Sequence, residues 1–177
     1  YARHTGGKLI FRIEDTDKER VTDEYIQAAI QTLKWLGLNW DEGPEVGGEY
    51  GPYLQSERLD TYADWAQKFL DQGDAYHCYC SSAELEERRQ LQMKNNKAPG
   101  YDGKCRDLSN TQIDNYKAEG RAPVVRMRMP QGETIFVDQI RGEVKFDHEF
   151  VPDFVLARAD GSPLYTLAVA VDDILMK

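Results

Sequence analysis

Three cysteines in 177 residues are too few, and odd in number, for a disulfide framework. A reducing, cytoplasmic location is the expectation that follows. No apolar run approaches the roughly 18 residues a membrane helix needs, and the N-terminus has no secretory-signal pattern. Basic residues are also scarce: 22 Lys and Arg stand against 31 Asp and Glu, a net charge of −9. That excludes a generally basic nucleic-acid coat, though not a local basic face. The three histidines form no His-Glu-x-x-His set, and His4 and His148 are given no role. Neither a Ser/His/Asp ordering nor a Gly-x-x-x-x-Gly-Lys-[Ser/Thr] phosphate loop is present. What remains is the composition of an ordinary globular chain, 41% hydrophobic and 30% charged. Its length suffices for one domain or two small ones with a real core.

The densest information lies in Lys8-Leu-Ile-Phe-Arg-Ile-Glu-Asp-Thr-Asp-Lys-Glu-Arg20. Leu9-Ile10-Phe11 is β-branched and aromatic without helical period, which reads as a buried strand. Glu14 then sits at the strand's end, and Asp15-Thr16-Asp17 forms a turn towards a helix. In open α/β sheets ligands bind in the crevice outside such strand ends. A carboxylate there can hold an ammonium group by a charge-assisted hydrogen bond. Helical spacing of Ile26, Ala29, Ile30, Leu33 and Leu36 predicts a helix from Asp23 to Leu36, capped by Thr22 and ended by Gly37. A Gly/Pro-rich loop, Asp41 to Tyr53, leads to a second predicted helix from Glu57 to Gln72, with Ser56 as cap and Gly73 as stop. Beyond residue 76 come a Cys-x-Cys turn, a charged helix with Ser81 and Glu84 in a capping box, and a short helix ending at Gly120. Strands are predicted near 123–129, 134–137, 143–147 and 153–157. The last apolar run, Leu164 to Val171, reads as a buried strand ending at Asp172-Asp173.

Cys78-Tyr-Cys80 and Cys105 form a second group. Two thiolates at i and i+2 in a turn can share a tetrahedral metal, and a third soft ligand can close the site. Unrelated buried thiols are the alternative. Arg126 and Arg128 fall on one side of a strand and are the candidate basic face; solvated strand arginines are the plainer explanation.

Five blocks, in order, resemble the glutamyl-tRNA synthetase family of class I aminoacyl-tRNA synthetases. They are Thr5-Gly-Gly-Lys-Leu-Ile-Phe-Arg-Ile-Glu-Asp-Thr-Asp17, Trp35-Leu-Gly-Leu-Asn-Trp-Asp-Glu-Gly-Pro44, Gly51-Pro-Tyr-Leu-Gln-Ser-Glu-Arg58, Tyr101-Asp-Gly-Lys-Cys-Arg106 and Asp160-Gly-Ser-Pro-Leu-Tyr165. The resemblance implies an α/β fold: part of a class I Rossmann-like catalytic domain interrupted by a mixed α+β acceptor-end insertion with a zinc knuckle. The expected parts are 1–55 (catalytic), 56–160 (insertion, with the knuckle near 76–108) and 161–177 (return to the catalytic domain). It implies that Glu14, Tyr165 and Val169 bind L-glutamate, with Asp172-Asp173 bordering the site floor. Ile174 departs from the histidine often found there. It implies a structural zinc on Cys78, Cys80 and Cys105. Where many members have Cys-x-His this chain has Asp107, so the fourth ligand is expected to be Asp107, then Tyr101, then His77. Tyr101 ranks second because a Tyr-x-x-x-Cys pair serves in the related glutamyl-queuosine enzymes.

The implied partners are tRNA(Glu), met through Arg126 and Arg128, L-glutamate, and ATP with Mg; a monomer without membrane association is expected. The family's His-Ile-Gly-His block and Lys-Met-Ser-Lys-Ser loop are absent, so the chain is expected to be a fragment that is inactive alone. Two alternatives stand beside this reading. One is a glutamyl-queuosine tRNA(Asp) synthetase, which usually lacks the Gly51-Pro-Tyr block. The other is a non-catalytic zinc-binding module for tRNA or protein, in which the pocket residues would have no purpose.

Overall fold

Thr22 starts the first long helix as expected, its hydroxyl accepting the Tyr25 amide while Asp23 and Glu24 sit at the positive end of the helix dipole. The computed structural model describes residues 1–17 and 21–176, so Lys18, Glu19 and Arg20 of the motif segment lie outside the described residues. In chain order the elements are α1 (Ala2–Thr5), α2 (Asp23–Trp35), a 3-10 turn (Gln55–Glu57), α3 (Leu59–Gln72), β1 (Ala75–Cys78), α4 (Ser82–Lys94) and α5 (Asn110–Ala118). Then follow β2 (Val124–Met127), β3 (Glu133–Asp138), β4 (Gly142–Asp147), a second 3-10 turn (His148–Phe150), β5 (Val155–Ala157) and α6 (Tyr165–Leu175). These group into two compact units, Tyr1–Trp65 with Ser162–Lys177, and Ala66–Gly161.

In the first unit, residues 9–13 run extended beside two later segments. Isolated parallel bridges join Ile10 to Glu42 and Ile13 to Leu54. The amides of Phe11 and Ile13 donate to the carbonyls of Glu42 and Tyr53, each at 2.8 Å. Parallel pairing requires a crossover, and α2 supplies it between residues 10 and 42. Ile26, Ile30 and Leu33 of α2 pack on Ile13, Trp40, Phe11 and Leu54. Burying such a side chain fully contributes about 1.5–3 kcal/mol. The loop from Asp41 is closed by Glu42, a buried carboxylate that accepts from the Lys8 ammonium and the Tyr53 hydroxyl, both at 2.9 Å, and from the Glu49 amide at 3.1 Å. The Lys8 and Tyr53 hydrogen bonds hold the Glu42 carboxyl below its usual range. Gly48 is required there: its φ is +142°, and a Cβ would stand 2.4 Å from Tyr53 Oη and 2.5 Å from Glu42 Oε2.

Two expectations are corrected in this unit. Ser56 does not cap α3; its amide and hydroxyl donate to the buried Asp15, and a 3-10 turn precedes the helix instead. The run from Leu164 is helical, α6, rather than a strand. Its buried residues Leu167, Ala168, Val171 and Asp172 fall on one helical face, and Pro163 precedes the first turn, where a missing N–H costs nothing.

The second unit holds both sheets found among the described residues: an antiparallel sheet in the order β1-β2-β5, and the β3-β4 hairpin. β1 ends at Cys78, so the expected Cys-x-Cys turn begins on a strand, with Tyr76 and Cys78 buried and His77 exposed. Capping boxes start α4 (Ser81 with Glu84) and α5 (Ser109 with Gln112).

Candidate functional site

Glu14 sits where the first extended segment ends, with its side chain about a third exposed (35%) and Oε1 accepting from Arg12 Nη2 at 3.0 Å. Arg12 and Glu14 share one side of that segment, as alternation requires. Arg12 then reaches α6, donating to Asp173 at 2.9 Å and lying 3.5 Å from Asp172. Tyr165, Val169 and Asp172 are spaced i, i+4 and i+7, one face of α6. That face passes from the exposed Tyr165 through the half-buried Val169 to Asp172, which is fully buried.

Asp172 anchors the arrangement. It accepts from Arg58 Nε at 2.8 Å, the Tyr62 hydroxyl at 2.8 Å and Gln55 Nε2 at 2.9 Å. Burial pushes the Tyr62 hydroxyl pKa up, and the hydrogen bond to Asp172 adds to it, so Tyr62 stays a donor. The sequence points to no role for Arg12, and it places Asp172 only at a strand end bordering the site floor, without the donors that converge on it. The signal available was the helical spacing of Leu164, Leu167, Ala168 and Val171.

In the second unit, the sulfurs of Cys78, Cys80 and Cys105 lie within 4.8 Å of one another, and those of Cys80 and Cys105 are 3.5 Å apart. Tetrahedral thiolates on zinc, with Zn–S of about 2.3 Å, stand about 3.8 Å apart, so the three thiols fit such an ion. The Tyr101 hydroxyl lies 3.3 Å from Cys78 Sγ and accepts the Cys105 amide at 2.9 Å. Asp107 is not among these groups. Expected as the fourth ligand, it has its exposed carboxylate paired with Arg128 at 2.9 Å. His77 is excluded by strand alternation, because Tyr76 and Cys78 face inward and His77 faces out. Burial pushes the Cys78 thiol up, but its hydrogen bonds to Tyr101, the Cys80 backbone and Arg126 more than offset this, and its pKa falls. Burial pushes the Cys80 thiol up to about 12, and the neighbouring Cys78 adds to the rise.

Arg126 and Arg128, the expected tRNA-facing pair, are both engaged by groups of their own unit. Arg126 stands opposite Tyr76 across the β1–β2 ladder, on the inward face. It is only 7% exposed, stacks 3.8 Å above the Tyr101 ring and donates to the Asp153 carbonyl at 2.8 Å. Arg128 lies just beyond β2, over the Tyr76 ring at 5.2 Å, and donates to Asp107 and to the Arg106 carbonyl. Asp153 gathers the rest, taking the Tyr76 hydroxyl at 2.6 Å and the Met129 amide at 2.9 Å. Strand alternation identified the shared face but not which way it turns.

A family model described as tRNA synthetases class I (E and Q), catalytic domain, matches residues 1–177. The chain belongs to this synthetase family. Its relatives include the glutamate–tRNA ligase of Streptomyces avermitilis, 53% identical over the whole chain, which spans 35% of that protein. The glutamate–tRNA ligase of Bacillus subtilis is 48% identical, again over the whole chain and 37% of the relative. The crystal structure of a glutamate tRNA ligase from Elizabethkingia meningosepticum, in complex with its amino acid, superposes with a TM-score of 0.89 at 32% identity. That match covers 99% of this chain and 36% of the other. The chain thus spans about a third of its relatives' length, and its architecture is the α/β fold of a class I synthetase catalytic domain with small sheets. Among the described residues, no helix is long and apolar enough to cross a membrane.

Proposed function

We propose that this chain is part of the catalytic region of a glutamate–tRNA ligase, which joins L-glutamate to tRNA(Glu) through a glutamyl-adenylate made from ATP with Mg. The observation that carries the reading is the family match over all 177 residues by a chain about half identical to proteins of that name. Those relatives are glutamate enzymes, which selects glutamate over glutamine within a family covering both. Glu14 pairs with the substrate ammonium, Tyr165 orients the substrate, and Val169 lines the same pocket. Catalysis of this kind rests on positioning and on stabilising developing charge rather than on strong acid–base groups. The segment works in the cytoplasm, within a monomer, and residues 56–160 act as the insertion that meets the tRNA acceptor end.

Cys78, Cys80 and Cys105 hold a structural zinc, with the Tyr101 oxygen in the fourth position. When bound, the ion ties the turn after β1 to the segment before α5, replacing a disulfide as a local staple. Glu14→Gln in the intact enzyme tests the pocket, because it keeps the shape and removes the charge. Removing one partner of a buried charge pair costs about 2–5 kcal/mol, and partial exposure places Glu14 at the lower end. Glutamylation should fall at least about tenfold, with the KM for glutamate raised. Activity within twofold of the parent would remove Glu14 from the pocket.

A further inference from the structure

Arg126 poses a problem that the fold alone does not solve. Its guanidinium, permanently charged, is buried at 7% exposure. Its Nη1 meets a carbonyl and its Nε has no hydrogen-bond partner. Among the described residues no carboxylate comes within 4.0 Å of it, although Asp153, whose carbonyl it meets, spends its carboxylate on Tyr76, Arg106 and Met129. A buried charge without a counter-charge is costly, so an anion is expected beside it. The neighbouring group able to supply one is the cysteine cluster, reached through the Tyr101 ring at 3.8 Å and the Tyr101 hydroxyl 3.3 Å from Cys78 Sγ. A second arginine approaches the other side: Arg88 Nη1 lies 3.9 Å from Cys80 Sγ while also pairing with Asp102 at 3.0 Å.

We infer that Arg126, seconded by Arg88, is the counter-charge of the metal site on Cys78, Cys80 and Cys105. This rests on the zinc reading above. Three thiolates around a divalent ion leave one excess negative charge. Arg126 supplies a positive charge against this cluster, and Arg88, which the cluster shares with Asp102, supports it from Cys80. Arg126 lies over the Tyr101 ring, where a cation is attracted to the ring face, and so holds that ring against Cys78 and Cys105. Both arginines are positioning residues: they hold the ligands, not the ion. A buried arginine that looks like a nucleic-acid contact in sequence is thereby committed to the metal site.

The test uses the intact protein carrying this segment, loaded with zinc or cobalt(II), comparing the parent with R126M, R126K and R88M. Zinc affinity is read by competition with a chromogenic chelator, and thiolate ligation by the sulfur-to-cobalt charge-transfer absorption. R126M should bind zinc at least about tenfold more weakly, the scale of loss when an outer-shell partner of a metal ligand is removed. R126K, which keeps the charge, should recover most of that loss, and R88M should show a smaller weakening. The cobalt spectrum of each should still report three thiolates. If Arg126 only packs, R126M would lower thermal stability and leave the affinity of the folded protein unchanged; zinc binding within twofold of the parent overturns the inference. Should R126M fail to fold, R88M decides: unchanged affinity overturns the pairing, and weakened affinity supports it. A parent that binds no zinc and shows no charge-transfer band removes the metal site itself, an outcome distinct from any variant effect.

Discussion

Replacing Asp172 should damage the first unit more than any other single carboxylate substitution. The residue is fully buried and accepts three hydrogen bonds of 2.8–2.9 Å, from Arg58, Tyr62 and Gln55. Asp172→Ala leaves the buried Arg58 guanidinium without its carboxylate and orphans two neutral donors. Removing one partner of a buried ion pair costs about 3–5 kcal/mol, because the other charge stays behind uncompensated. Asp172→Asn keeps the volume but turns one acceptor into a donor facing donors, a loss of about 1.5–3 kcal/mol. All three tryptophans, Trp35, Trp40 and Trp65, lie within Tyr1–Trp65, so their fluorescence in urea reports this unit alone. With an m-value near 2 kcal/mol/M, a loss of about 4 kcal/mol lowers the unfolding midpoint by about 2 M. Asp172→Asn should fall between that variant and the parent. A midpoint for Asp172→Ala within about 0.3 M of the parent, under 1 kcal/mol at that slope, would refute the reasoning.

Other outcomes follow from the same geometry. Cys105→Ser should abolish zinc binding, whereas Asp107→Ala should leave it intact and Tyr101→Phe should weaken it; metal content by elemental analysis distinguishes these, and zinc loss on Asp107→Ala would restore that carboxylate as a ligand. The Ser81 amide and then Arg121 hold the Glu84 carboxyl at about 2, well below its unfolded range near 4.3. Its folded form therefore binds fewer protons than the unfolded chain, and its contribution is present above pH about 4.3 and lost as pH falls towards 2. Glu84→Gln should flatten the stability–pH curve in that window alone, and a parallel curve would sink the assignment. Arg12→Met should raise the KM for glutamate in the intact enzyme by freeing Glu14, with Arg12→Lys milder; an unchanged KM would make Arg12 purely structural.

Local rules that need only neighbours in sequence were legible. Thr22 and the Ser81–Glu84 box mark real helix starts, and Cys78, Cys80 and Cys105 do meet in space. The failures share a cause. Leu164 to Val171 is β-branched and apolar enough to pass for a strand, although Leu164, Leu167, Ala168 and Val171 keep the helical spacing that the structure buries. Alternation puts Arg126 and Arg128 on one side of the chain, yet a sequence does not show which side a half-buried strand turns inward. The pairing of Asp107 with Arg128, 21 positions away, is equally invisible to local rules. Asp172 gathers donors 110 to 117 residues distant, a convergence that no local pattern encodes.

Amino-acid-dependent exchange of pyrophosphate into ATP, measured on the intact protein carrying this segment with tRNA(Glu) present, tests the central claim most directly. The account predicts exchange with L-glutamate, none above background with L-glutamine or L-aspartate, and at least about a tenfold loss in the Glu14→Gln protein, which lacks the ammonium's counter-charge. Exchange driven by another amino acid, or full activity without the Glu14 carboxylate, would contradict it.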